Sequence, residues 1–247
     1  MSTSHPAHLE PSKLGTKDYW DALYTTELQN HASNPEDTGT TWFSDSLAEE
    51  KLVALLPTLP TLPPPEQASF LDLGCGNGTL LSALRADGWA GRLMGVDYSE
   101  RSVELARNVA AQDGSGAEFE VWDVLAGDYA AVLTGEQEGG WDVVTDKGTF
   151  DAICLSEEKD ARGRRICEGY RDRVGRLVKR GGMLIITSCN WTEDELRTWF
   201  VGEGEGAEGE VEGEGVGFVE AGRIQYRTFS FGGHRGQTIS TLCFRRT

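Results

Sequence analysis

Phe70-Leu71-Asp72-Leu73-Gly74-Cys75-Gly76-Asn77-Gly78, answered by Gly95-Val96-Asp97-Tyr98-Ser99, decides the fold of this chain. An apolar run ends in an acid, passes through three alternating glycines and opens onto a segment of helical pattern. About nineteen residues beyond Gly78 a second apolar run also ends in an acid, Asp97. This is the order of a strand, a ligand-binding glycine loop, a helix and a second strand whose terminal carboxylate accepts ribose hydroxyls.

Outward from that pair, short apolar runs alternate with amphipathic stretches, the pattern of a parallel sheet covered by helices on both faces. Strands are predicted at Phe70–Leu73, Leu93–Asp97, Phe119–Trp122, Trp141–Thr145 and Met183–Ser188. Helices are predicted between and after them at Thr79–Asp87, Ser99–Gln112, Tyr129–Leu133, Cys167–Val178 and Thr192–Val201. Two β-rich runs near the end, 218–231 and 238–244, read as an antiparallel hairpin closing one sheet edge. Upstream, 17–28 and 46–56 carry helical spacing, and the five prolines of 57–65 predict an extended linker. The expected organisation is a flexible tail over 1–13, a helical extension with its Pro-rich linker over 14–66, and one α/β domain over 67–247. A Gly/Glu tract at 202–217 interrupts that domain and is too polar and like-charged to pack, so it is predicted to be disordered.

The totals narrow the function. A length of 247 residues suits one α/β domain with an extension. No apolar run is long enough to span a bilayer, and the first residues lack the basic start and apolar stretch of a secretory leader. The five cysteines are scattered without a CxxC pair and the four histidines do not cluster along the sequence, so no metal site is expected. Free thiols fit a cytoplasmic protein, with the nucleus as a second compartment. A net charge of −17 argues against direct nucleic-acid binding; six of the forty acids fall in the Gly/Glu tract. A monomer is the expected state.

The loop chemistry selects a cofactor. Dinucleotide enzymes use G-x-G-x-x-G to cradle a pyrophosphate, whereas this loop is G-x-G-x-G and follows Asp72. S-adenosylmethionine carries an ammonium and a carboxylate in place of phosphates, and an acid at the loop mouth suits it. Val121-Trp122-Asp123-Val124 then places a third acid at a strand end, where it can accept from the adenine amino group while a following backbone N–H donates to the ring. Any one of these acids alone also reads as a cap or turn residue.

Taken together, these motifs resemble class I S-adenosylmethionine-dependent methyltransferases. The resemblance implies a seven-strand Rossmann-like sheet and a cofactor site formed by Gly74, Gly76, Asp97, Tyr98, Asp123 and Val124, with Asp72 in support. After the fourth strand, Asp146-Lys147-Gly148-Thr149-Phe150-Asp151-Ala152 is similar to eukaryotic protein-lysine methyltransferases acting on translation elongation factor 1-alpha. Leu14-Gly15-Thr16-Lys17-Asp18-Tyr19-Trp20, Trp42-Phe43, Thr187-Ser188-Cys189-Asn190-Trp191-Thr192 and Phe229-Ser230-Phe231-Gly232-Gly233 extend the likeness to the elongation factor 1-alpha lysine methyltransferase 2 family. The Gly/Glu tract and the length of the proline segment depart from that family's pattern.

The resemblance implies a protein-lysine N-methyltransferase with that factor as its protein substrate. Asp146 is expected to orient the incoming amine, with Phe150 and Trp191 as an aromatic wall; ordinary packing is the competing role for each. Trp20 and Trp42 are expected either as a lid over the cofactor or as packing for an N-terminal helix. Methylation of another protein side chain or a small molecule, and a non-catalytic adaptor built on the same fold, stay open. A dehydrogenase is the weakest reading.

Overall fold

The computed structural model describes residues 5–202, 217–231 and 234–247. The predicted disordered tract therefore lies, at 203–216, outside the described residues. So do 1–4 of the tail and Gly232-Gly233 of the predicted hairpin joint.

β1 (Phe70–Leu73) is buried at all four positions, as a strand covered on both faces must be. It lies between two parallel neighbours, β2 (Leu93–Asp97) and β4 (Trp141–Lys147). The remaining strands are β3 (Glu118–Val121), β5 (Val178–Ser188), β6 (Phe218–Ile224), β7 (Thr228–Phe231), β8 (His234–Gln237) and β9 (Ser240–Arg246). Seven of them form one sheet in the order β3-β2-β1-β4-β5-β9-β6, with β9 antiparallel to both β5 and β6. The expected C-terminal edge hairpin is thus β6 with β9, and a separate ribbon, β7 with β8, is inserted between them. The chain leaves β1 for β2 on one side and returns to β4 on the other. That reversal opens a crevice at the carboxyl ends of the strands, where α/β sheets bind ligands.

Strand alternation sorts the core into two layers. Leu71, Leu73, Val144, Leu184 and Ile186 pack into one apolar cluster, while Phe70, Val143, Met183 and Ile185 pack into another. Helices α3 (Thr79–Ala86), α4 (Glu100–Asp113), α5 (Thr149–Cys154), α6 (Tyr170–Leu177) and α7 (Glu193–Phe200) cover the sheet. Ser99 caps α4, and Thr192 with Glu195 forms a reciprocal capping box on α7.

The N-terminal extension is part of the packed body. α1 (Lys17–Ser33) runs beyond its predicted end and lays Tyr24 against Leu105 and Val109 of α4. α2 (Ala48–Leu55) packs on α3. The proline segment is not a free linker. Leu59 is buried, Leu62 packs on the core, and the Pro64 and Pro65 carbonyls accept N–H bonds from Gln67, Ala68, Ala90 and Gly91. Two other predictions shift for local reasons. The predicted helix at Tyr129–Leu133 shortens to a 3-10 turn, Tyr129–Ala131. β5 starts at Val178, the last residue of the predicted helix, because Val178 is already extended (φ −86°, ψ 128°) and pairs with Trp141 of β4. Two of the histidines do come together: His5 and His8 both face Glu168.

Candidate active site

Asp97 closes β2 with its carboxylate 6% exposed. It accepts from the Ser99 N–H at 2.9 Å, the Ser102 hydroxyl at 2.9 Å and the Gly76 N–H at 3.3 Å. Burial pushes its pKa up, while these donors pull it back toward the ionised form. The Gly76 bond ties the glycine loop to the acid that follows nineteen residues later, so loop and carboxylate form one cradle.

The loop has no room for side chains. Gly74 sits at φ 64°, and a Cβ there would lie 2.0 Å from the Thr149 hydroxyl; at Gly76, φ 57°, it would lie 2.8 Å from the Tyr24 hydroxyl. Both positions need glycine for backbone conformation and for space.

Above this cradle lies a cavity of about 350 Å³. Gly74, Asp97, Tyr98, Asp123 and Val124 all line it, drawn together from the ends of β1, β2 and β3. Gly76 contributes through its N–H to Asp97. Asp72 lies behind the wall, buried, accepting from the Thr145 hydroxyl at 2.7 Å, and burial pushes its pKa up to about 7. Asp123 folds back on its own turn, taking the Leu125 N–H at 2.8 Å. A carboxylate for a diol, an apolar slot at Val124 and Leu125, and a side-chain-free glycine cradle fit an adenosyl group joined to an amino acid. The volume falls within the range of small-molecule sites.

The far end of the cavity corrects the sequence reading. Asp146, Phe150 and Trp191 do not line it. Asp146 is 1% exposed and turned toward α5, accepting from the Thr149 N–H at 2.9 Å, the Phe150 N–H at 2.9 Å and the Tyr170 hydroxyl. Burial pushes its pKa up to about 7, opposed by those donors. Phe150 and Trp191 stack within a buried aromatic cluster with Tyr170, Trp199 and Phe200. All three belong to the support beneath the loop.

Asp151, one helical step further along, faces the cavity instead. Its carboxylate accepts from the Ser188 hydroxyl at 2.5 Å and the Cys189 N–H at 2.8 Å, which fixes its direction, and burial raises its pKa. Ser156, Glu158 and Asn190 share that wall, and Trp20, Trp42 and Phe43 roof it. Trp20 is held by its indole N–H on the Leu14 carbonyl at 2.8 Å. Lys147 is also in the wall but is committed to Glu49 at 3.3 Å. Asp146, near the end of β4, is thus engaged by the first N–H groups of α5, while Asp151 in the first turn of that helix faces the cavity.

Comparison with known proteins matches this geometry. A methyltransferase domain family matches residues 65–215. Protein-lysine N-methyltransferase EFM4 of Saccharomyces cerevisiae is 40% identical over 241 residues, covering 96% of each chain. EEF1A lysine methyltransferase 2 of Homo sapiens is 33% identical over 237 residues, covering 96% of this chain and 88% of that one. Among solved structures, magnesium protoporphyrin IX methyltransferase from Synechocystis with bound S-adenosylmethionine superposes with a TM-score of 0.53. That match has 18% identity and covers 91% of this chain and 97% of the other, so it speaks for the fold. A TehB-like methyltransferase from Corynebacterium glutamicum gives 0.50 at 17% identity, covering 92% and 98%. The glycine cradle, the three strand-end acids and relatives aligned along nearly the whole length place the chain in the class I S-adenosylmethionine-dependent methyltransferases, as a member of the protein-lysine N-methyltransferase family that includes EFM4 and EEF1A lysine methyltransferase 2.

Proposed function

We propose that this enzyme methylates a lysine ε-amino group of translation elongation factor 1-alpha. One observation carries the reading: a single cavity runs from the Asp97 cradle to an aromatic-roofed end where Asp151 presents a fixed carboxylate. The names of the relatives support the choice of factor.

S-adenosylmethionine supplies an electrophilic methyl group on a sulfonium. In the proposed assignment Asp97 accepts the two ribose hydroxyls, Tyr98 and Val124 bound the adenine, and Asp123 accepts from its amino group. Gly74 and Gly76 leave space for the methionine portion, with Asp72 supporting the loop from behind. At the other end a lysine must arrive neutral. With a reference pKa of about 10.4, deprotonation near pH 7.4 costs about 4 kcal/mol. The apolar roof of Trp20, Trp42 and Phe43 lowers that cost by disfavouring the charged form. Asp151 accepts an N–H of the amine, so the nitrogen lone pair turns toward the methyl group. Alignment of this kind supplies several kcal/mol, within a ceiling of about 7–11 kcal/mol.

The proposed compartment is the cytoplasm, supported by five cysteines that all stay free thiols. A monomer is the proposed working form. The first test separates acceptor classes: the purified protein is incubated with methyl-labelled S-adenosylmethionine and a yeast extract, and label is followed in protein and small-molecule fractions. Label in a protein of the factor's size supports the proposal, and label confined to metabolites overturns it.

A further inference from the structure

Away from the cavity, the segment entering α1 carries His5-Pro6-Ala7-His8, and both imidazoles face one carboxylate of the short turn Ile166–Gly169. His5 Nε2 lies 3.6 Å from Glu168 Oε2, and His8 Nε2 lies 3.4 Å from Glu168 Oε1. Charge-assisted N–H···O bonds close to about 2.7–2.9 Å, so neither contact has that length. Zinc holds nitrogen and oxygen ligands at about 2.0–2.1 Å, which puts tetrahedral neighbours about 3.3–3.4 Å apart. Each imidazole lies near such an edge from one of the two carboxylate oxygens, and the three residues each offer a ligand atom within 4.8 Å of the others.

The surroundings prepare these groups as ligands. His5 Nδ1 lies 3.0 Å from the Pro6 carbonyl, which assigns its proton to Nδ1 and leaves the Nε2 lone pair free. The two imidazoles stack at 4.7 Å with planes 22° apart, with His5 backed by Trp199 at 4.9 Å and 7°, so the half-exposed His8 ring must turn about its side-chain bonds to bring its lone pair onto the ion beside that of His5. Glu168 is steadied by the Arg165 backbone N–H at 3.1 Å. The Arg165 guanidinium is held by the Cys154 carbonyl at 3.0 Å and the Leu9 carbonyl at 3.5 Å, and its charge beside His8 disfavours the protonated imidazole.

We propose that His5, His8 and Glu168 bind one divalent transition-metal ion, zinc by ligand type, with a fourth position open to water. Two imidazoles and one carboxylate suit zinc, whereas magnesium and calcium demand oxygen ligands. The ion fastens the start of the chain to the turn before α6. The same segment continues to Ser12, whose N–H donates to the Leu155 carbonyl at 3.0 Å, and to Leu14 and Gly15 in the cavity wall. A bound ion therefore stabilises the strap that lines one side of the site.

The test is calorimetric titration of the untagged, full-length protein with zinc chloride in the presence of millimolar magnesium. One ion per chain is expected, with Kd raised at least about tenfold in His8→Ala and in Glu168→Gln. Zinc should also raise the melting temperature of the wild type and leave that of the His5→Ala/His8→Ala double variant unmoved. Without metal the double variant should melt only slightly below the wild type, having lost the His5 stack on Trp199, and the zinc-induced shift is read against that metal-free value. Absence of saturable binding overturns the site. So does unchanged affinity in the variants, which would place the ion elsewhere, for example at the exposed Cys189 thiol.

Discussion

Gly74→Ala tests the cradle at its tightest point. At φ 64° an alanine adopts the left-handed region at a cost of about 1–2 kcal/mol. Its Cβ would also stand 2.0 Å from Thr149 Oγ1 and 3.0 Å from Thr149 Cβ, and Thr149 is held by its bond to the Leu73 carbonyl at 2.7 Å. Relieving that overlap by moving α5 or the loop adds about 1–3 kcal/mol. The total, about 2–5 kcal/mol, is a large share of the roughly 5–15 kcal/mol that holds a domain folded. Gly114 provides the control, since its φ is 69° and nothing lies within 4 Å of its missing Cβ. Gly114→Ala should therefore lose only the backbone part. Adding Thr149→Ala to Gly74→Ala removes Oγ1, the atom at 2.0 Å, and leaves only the Cβ contact at 3.0 Å, so the double variant should recover most of the overlap cost, about 1–3 kcal/mol, relative to additivity. Urea unfolding gives the free energies, and calorimetry with S-adenosylmethionine reads the cradle. Equal losses for Gly74→Ala and Gly114→Ala, or strict additivity with Thr149→Ala, would refute the reasoning.

Asp97→Ala removes a charged acceptor and should weaken S-adenosylmethionine binding by at least about tenfold in a calorimetric titration, because hydrogen bonds to charged groups are worth about 1.5–3 kcal/mol. Asp151→Asn should lower kcat for the protein acceptor by about tenfold or more while leaving cofactor affinity near wild type; a matched loss of cofactor binding would move Asp151 out of its proposed role. Asp72 has its folded pKa raised to about 7 by burial, above the unfolded value of about 3.9, so its contribution to stability is fully present below about pH 4 and is lost as pH rises through about 7. Asp72→Asn should flatten the fall in unfolding free energy between about pH 4 and about 7, by up to about 4 kcal/mol, and parallel pH profiles for the two proteins would contradict this.

What the sequence made legible was set by local chemistry. Apolar runs buried on both faces read directly as strands, and acids at their carboxyl ends read as ligand groups because the topology gathers those ends into one crevice. Asp97, Asp123 and the glycine loop therefore lie where their spacing put them. The acceptor end was less legible because Asp146, near the end of β4, and Asp151, in the first turn of α5, are only five residues apart, and the fold alone decides which accepts the first N–H groups of α5 and which faces the cavity. Phe150 and Trp191 take the packing role that their sequence context also allows. Aromatic residues beside a reactive loop more often brace it from below, and here the roof comes instead from Trp20 and Trp42, far upstream in the sequence. The Glu49–Lys147 pair and the meeting of His5 and His8 with Glu168 join residues far apart in the chain, and no local pattern announces them. In the proline segment, proline composition reports backbone stiffness and says nothing about the leucines between, Leu59 and Leu62, which dock it on the core.

The central claim is that this cavity delivers a methyl group to a lysine of translation elongation factor 1-alpha. Tandem mass spectrometry of the purified factor, after incubation with this enzyme and deuteromethyl-labelled S-adenosylmethionine, tests it most directly. The account predicts labelled methyl on a defined lysine with wild-type enzyme and its loss with Asp97→Ala. An unlabelled factor, or label on residues other than lysine, would contradict it.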